Sequence, residues 1–95
     1  MPILQIEHPV RDFDAWKAAF DSDPVGREQG GVRRYRVSRP IDDPNYVMVE
    51  LEFESSSEAE AFRDALRGVW LRVQAEGLVE SPRARIAEEV ESKEY

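Results

Sequence analysis

From Val47 to Phe53 the sequence alternates without a break: Val47, Val49, Leu51 and Phe53 fall on one side, Met48, Glu50 and Glu52 on the other. Successive residues of an extended strand point to opposite faces, so this run makes a strand with one apolar and one polar side. The sheet that contains it needs a hydrophobic roof on one face only. The rest of the chain must supply the other strands and the roof.

Three further segments read as strands. Leu4, Ile6 and His8 alternate with Gln5, Glu7 and Pro9, which predicts a first strand ending near Pro9. Residues 32–39 predict a second and residues 46–54 the third, joined as a hairpin by Pro40-Ile41-Asp42-Asp43-Pro44-Asn45, a run of turn formers. Pro82 opens a last strand over residues 83–90, followed by a polar end. The roof comes from two amphipathic helices. Asp12 is a good N-cap for Phe13, Trp16, Ala19 and Phe20, with Asp14 and Lys17 on the exposed side, and Asp21-Ser22-Asp23-Pro24 stops that helix. Ser57-Glu58-Ala59-Glu60 reads as a capping box for a second stripe of Ala59, Phe62, Leu66, Val69, Trp70 and Val73, which Gly68 can bend or divide and Gly77 ends.

The order β-α-β-β-α-β defines an α+β, ferredoxin-like domain: a four-stranded antiparallel sheet with both helices on one face. A chain of 95 residues leaves room for one such domain, spanning residues 1–95. Charge sets the hairpin register. With Arg34 and Arg36 on the face of Glu50 and Glu52, each arginine meets a cross-strand carboxylate, and Tyr35 and Val37 join the roofed side. The opposite parity would bury both arginines without partners. The far face, with Ile3, Val32, Met48 and the Arg–Glu ladder, suits either solvent or a second copy of the chain.

Composition removes several functions. The 20 acidic against 13 basic residues give a net charge of −7, which repels nucleic acid. There is no cysteine, hence no disulfide, thiolate metal site or thiol nucleophile, and one histidine makes no histidine-rich metal site. No phosphate loop or dinucleotide fingerprint is present, so no cofactor is expected. The N-terminal segment lacks the basic and apolar regions of a leader, and no run reaches the ~20 apolar residues of a membrane span, so a cytoplasmic protein without membrane contact is expected.

His8 alone has an unperturbed pKa suited to proton transfer near neutrality, and it shares the roofed face with Tyr35. In an apolar pocket the pair would deprotonate a phenol or an activated C–H and hold the oxyanion. The competing reading is a strand-end histidine bonded to backbone or solvent. Trp16, Phe20, Val49, Phe53, Phe62 and Trp70 would line such a pocket for a small hydrophobic or aromatic molecule, or simply be core. Arg33 and Arg39 are weaker candidates for meeting an anion. Asp42 and Asp43 read as turn residues.

The pattern His8-x-Val10-x-Asp12-x-Asp14-x-Trp16-Lys17, with Phe20-Asp21, Gly31-Val32, Arg39, Asp42-Asp43-Pro44-Asn45 and Glu52-Phe53, resembles the actinobacterial "cyclase" or antibiotic biosynthesis monooxygenase-like proteins of the dimeric α+β barrel superfamily. The resemblance spans nearly the whole chain. It implies a homodimer with its sheets face to face, and a small-molecule cavity between each sheet and its helices. It also implies oxidation or ring closure of aromatic or polyketide-like substrates without metal or flavin. Haem-degrading relatives take their iron ligand from a helical histidine, whereas His8 falls on a strand. Ring-closing relatives use a pocket histidine and tyrosine, the parts His8 and Tyr35 would play. A non-catalytic ligand-binding dimer and a purely structural role are the alternatives.

Overall fold

The computed structural model describes residues 1–75 and 82–95. The elements run β1 (Pro2–Pro9), α1 (Phe13–Asp21), β2 (Arg34–Ser38), β3 (Tyr46–Glu52), α2 (Ser56–Ala75) and β4 (Arg83–Glu88). The four strands form one antiparallel sheet in the order β2-β3-β1-β4, the ferredoxin-like arrangement.

Register follows the alternation. Leu4, Ile6 and His8 pair with Leu51, Val49 and Val47, so the buried positions of the two central strands face the same way. Leu4, Val47 and Phe53 are fully buried and Leu51 nearly so. Burying a side chain of this kind contributes about 1.5–3 kcal/mol, which makes this face the main source of stability. The other face carries the charge ladder: Arg34 lies opposite Glu52 at 3.5 Å and Arg36 opposite Glu50 at 3.3 Å. Exposed pairs of this sort stabilise by only ~0–1 kcal/mol each, so they choose the register more than they hold the fold. The Tyr46 hydroxyl donates to Glu7 at 2.9 Å and ties β3 to β1 on that same face, which favours the protonated phenol and raises its pKa.

Helix α1 starts at the Asp12 cap, whose carboxylate accepts from the backbone N–H of Asp14 and Ala15. Lys17 reaches forward to Asp21 at 2.7 Å, not back to Asp14. The helix stops at Ser22 and Asp23, the latter at φ 54°, a left-handed conformation that aspartate tolerates. Asp43 accepts from the Asn45 N–H, an Asx turn within the β2–β3 connection.

Three expectations need correction. The capping residue of α2 is Ser55, not Ser57: its hydroxyl accepts from Glu58 N–H and bonds the Glu58 carboxylate. Two Ser-x-x-Glu frames overlap in this stretch, and the earlier one starts the helix at Ser56, three residues after buried Phe53. Helix α2 runs unbroken through Gly68, around which a Cβ would meet nothing within 4 Å. Strands β2, β3 and β4 are each shorter than predicted, and Val90 is exposed beyond the end of β4. Gly77 lies outside the described residues. No helix among the described residues is long and apolar enough to cross a membrane.

Candidate functional site

Strand parity points His8 beneath the helices, and its position at the end of β1 leaves it beside the α1 aromatics. It is the buried polar side chain of the core, 2% exposed. Its Nδ1 lies 3.0 Å from the Pro9 carbonyl oxygen. A carbonyl can only accept, so Nδ1 carries the proton and the neutral ring keeps a lone pair on Nε2. Burial pushes the pKa below 6.5, and the Pro9 carbonyl opposes this in part by favouring the cation. No described residue bonds Nε2, and it is not among the side-chain nitrogens sealed from solvent.

Helical spacing of three and four residues stacks Phe13, Trp16 and Phe20 along one side of α1. Trp16 meets the His8 ring at 6.0 Å, edge to face, and stacks on Phe20 at 5.2 Å and 23°. Between this row, the central strands and α2 opens a cavity of about 240 Å³, with Ile6, His8 and Val49 on its floor. Leu66, Val69 and Trp70 close it from α2, and Asp23, Val25 and Arg27 from the α1–β2 segment. That segment is anchored to α2 through Gly30 and Gly31. A Cβ on Gly30 would lie 2.6 Å from the Phe62 ring, and Gly31 has φ 95°. Among the described residues no group of three or more metal-ligating side chains comes together.

No protein-family model matches the sequence, and no curated protein matches it. Solved structures do. One is a "putative antibiotic biosynthesis monooxygenase" from Nitrosomonas europaea, with TM-score 0.64 and 19% identity, over 96% of this chain and 100% of that one. A protein of the same description from Deinococcus radiodurans superimposes at TM-score 0.70 and 18% identity, over 100% of this chain and 98% of that one. A dimeric ferredoxin-like protein from an uncultured marine organism gives TM-score 0.65 and 12% identity over the whole of both chains. The chain shares the ferredoxin-like fold of these solved proteins.

Within that fold, six of the eight expected site residues share one cavity: His8, Trp16, Phe20, Val49, Phe62 and Trp70. Two do not. Tyr35 is on the roofed face, opposite Leu51, but on edge strand β2. It is 46% exposed and packs behind Phe20 (5.3 Å) and Arg27 (4.9 Å), both of which line the cavity while Tyr35 does not. Phe53 is fully buried core, packed on Phe62 at 5.6 Å. It follows Glu52, the partner of Ile3, whereas His8 pairs with Val47, so the two sit near opposite ends of β1, ~20 Å apart along the strand. Arg33 pairs with Glu54 and Arg39 covers the Phe13 ring, so neither reaches the cavity. Arg27, the cavity-wall cation in the α1–β2 segment, was not foreseen. It sits in a turn-rich stretch where no periodicity marks an inward side chain.

Proposed function

We propose that this protein is a small-molecule enzyme of the cofactor-independent monooxygenase or cyclase type, acting on an aromatic or polyketide-like substrate in the cavity between sheet and helices. Carrying the proposal is His8: a buried neutral imidazole, its Nδ1 proton committed to Pro9, its Nε2 bonded by no described residue and beside an aromatic-walled cavity. Nε2 takes the proton from a phenol or an activated C–H, a step that burial assists by keeping the base unprotonated near neutrality. An enolate formed in this way attacks a carbonyl of the same molecule and closes a ring, the new alkoxide taking the proton back from Nε2, or the enolate or phenolate gives up an electron to dioxygen. Trp16, Phe20 and Trp70 bind the ring.

The working unit is a homodimer of one domain spanning residues 1–95. Half-buried Ile3 and Met48 and the Arg–Glu ladder on the far face support it, as does a structural neighbour named as dimeric. Light scattering at micromolar concentration is expected to give twice the 11.0 kDa of one chain, and a monomer would contradict the face-to-face arrangement. The reading places the protein in the cytoplasm, where a chain without cysteine lacks nothing by having no disulfides.

Metal-free protein is expected to convert 1-naphthol, a two-ring phenol, and dioxygen to 1,4-naphthoquinone and water, with His8→Ala losing at least ~100-fold of the rate. Full activity in His8→Ala would remove the base. A second reading, a non-catalytic dimer that holds a hydrophobic ligand, is favoured by one observation: Tyr35, the expected oxyanion partner, is off the cavity wall. Ligand-dependent melting shifts unchanged in His8→Ala, with no product formed, would establish it.

A further inference from the structure

Charge on the cavity wall is sparse and of unexpected sign. In a chain of net charge −7, the wall's charged residues among those described are Arg27, Arg72 and Asp23. Arg27 is held in place from three sides. Its guanidinium carbon lies 4.1 Å over the Phe20 ring and 4.9 Å over the Tyr35 ring, and Nη1 donates to the Phe20 carbonyl at 2.7 Å. The nearest carboxylate, Asp23, stands 3.7 Å away and accepts instead from the Arg27 backbone N–H at 2.8 Å. The other guanidinium N–H groups bond no described residue, although the side chain is only 18% exposed. None of these nitrogens is among the buried side-chain atoms left without a partner, so solvent reaches the free edge of the fork, and a planar carboxylate replaces that solvent with two parallel hydrogen bonds.

The cavity also limits the body of the ligand. An apolar void of ~150 Å³ takes one benzene, so about 240 Å³ accommodates one substituted ring or two fused rings. The stacked Trp16 and Phe20 rings stand on the cavity wall beside Arg27. We infer that the cavity takes a flat aromatic carboxylic acid of one or two fused rings, its carboxylate on the open edge of Arg27 and its ring against Trp16 and Phe20. This inference rests on the small-molecule reading of the cavity and narrows its substrate class. Arg27 is then the residue that selects acids over neutral aromatics, and Asp23 tunes how strongly it does so.

The test is calorimetry at pH 7.5 with 2-naphthoate and its neutral isostere 2-naphthamide. The acid is expected to bind at least ~10-fold more tightly than the amide, the usual range for hydrogen bonds to charged groups. Arg27→Gln erases that preference while changing amide affinity less than about threefold. Because Arg27 also braces the α1–β2 segment, a second variant avoids a folding artefact. Asp23→Asn keeps an oxygen for the Arg27 N–H and tolerates the left-handed backbone, and it is expected to tighten naphthoate binding about two- to fivefold. Equal binding of acid and amide by the wild type, equal losses of both in Arg27→Gln, or no gain in Asp23→Asn overturns the carboxylate site and leaves the cavity reading intact. Binding of neither compound overturns the cavity reading, and the carboxylate site with it.

Discussion

Gly30 is where the segment that walls the cavity touches helix α2, and the contact leaves no room for a methyl group. A Cβ there would lie 2.6 and 2.9 Å from two carbons of the Phe62 ring and 3.1 Å from the Gly26 carbonyl. The ring cannot retreat easily, since Phe53 packs against it at 5.6 Å and Phe62 itself is 4% exposed. Overpacking of this kind costs about 1–3 kcal/mol. Replacing glycine by alanine returns about 0.4–1 kcal/mol by restricting the unfolded chain. Taking the middle of both ranges, Gly30→Ala should destabilise by a net ~1.3 kcal/mol. For a chain of 95 residues, unfolding entropy of about 2.1 cal/mol/K per residue makes that a fall in Tm of roughly 5–10 °C. The assay is a double-mutant cycle by urea denaturation at fixed protein concentration, with Phe62→Leu as the second change. Leucine vacates the space the new methyl needs, so the two substitutions should couple favourably by about 1 kcal/mol. A neutral Gly30→Ala, or costs that simply add, would refute the contact and with it the way the α1–β2 segment is fixed over the cavity.

Other outcomes separate core from wall and test the buried histidine. Phe53→Ala should cost about 3–5 kcal/mol in denaturation yet weaken an aromatic ligand less than a change on the wall does, since Phe53 is solid core behind Phe62 and does not itself line the cavity. Trp70→Ala, on the half-buried wall, should cost less stability but weaken ring binding at least ~5-fold by calorimetry. Because the folded-state pKa of His8 is lowered, the unfolded chain binds its proton more readily. Stability should be full above pH 6.5 and decline as pH falls below it, and His8→Phe should flatten that part of the Tm–pH curve. A curve of the same slope in both proteins would show that His8 is not buried neutral. Asp12→Ala removes the α1 cap and should cost about 1 kcal/mol in denaturation.

What could be read from the sequence was whatever a repeating pattern forces. Period-two alternation placed His8, Val49 and Phe53 on the roofed face, and the need to pair Arg34 and Arg36 with Glu52 and Glu50 fixed the hairpin parity. Alternation gives a face but not a position across or along it. Tyr35 therefore had the right side and the wrong strand, at the sheet edge, and Phe53 the right side and the wrong end. The α2 start slipped by two residues because Ser55–Glu58 and Ser57–Glu60 satisfy the same rule. Arg27 was hidden because its inward course is set by tertiary contacts, two aromatic rings and one carbonyl, and not by any local spacing.

The sole imidazole of the chain makes the decisive measurement simple: nitrogen-15 NMR of His8 followed across pH, with and without 2-naphthoate. The account requires Nδ1 protonated and Nε2 bare near neutrality, a midpoint below 6.5, and a shift of the Nε2 resonance when the aromatic acid enters. A midpoint at or above 6.5, a proton on Nε2, or a ring indifferent to the ligand would contradict it.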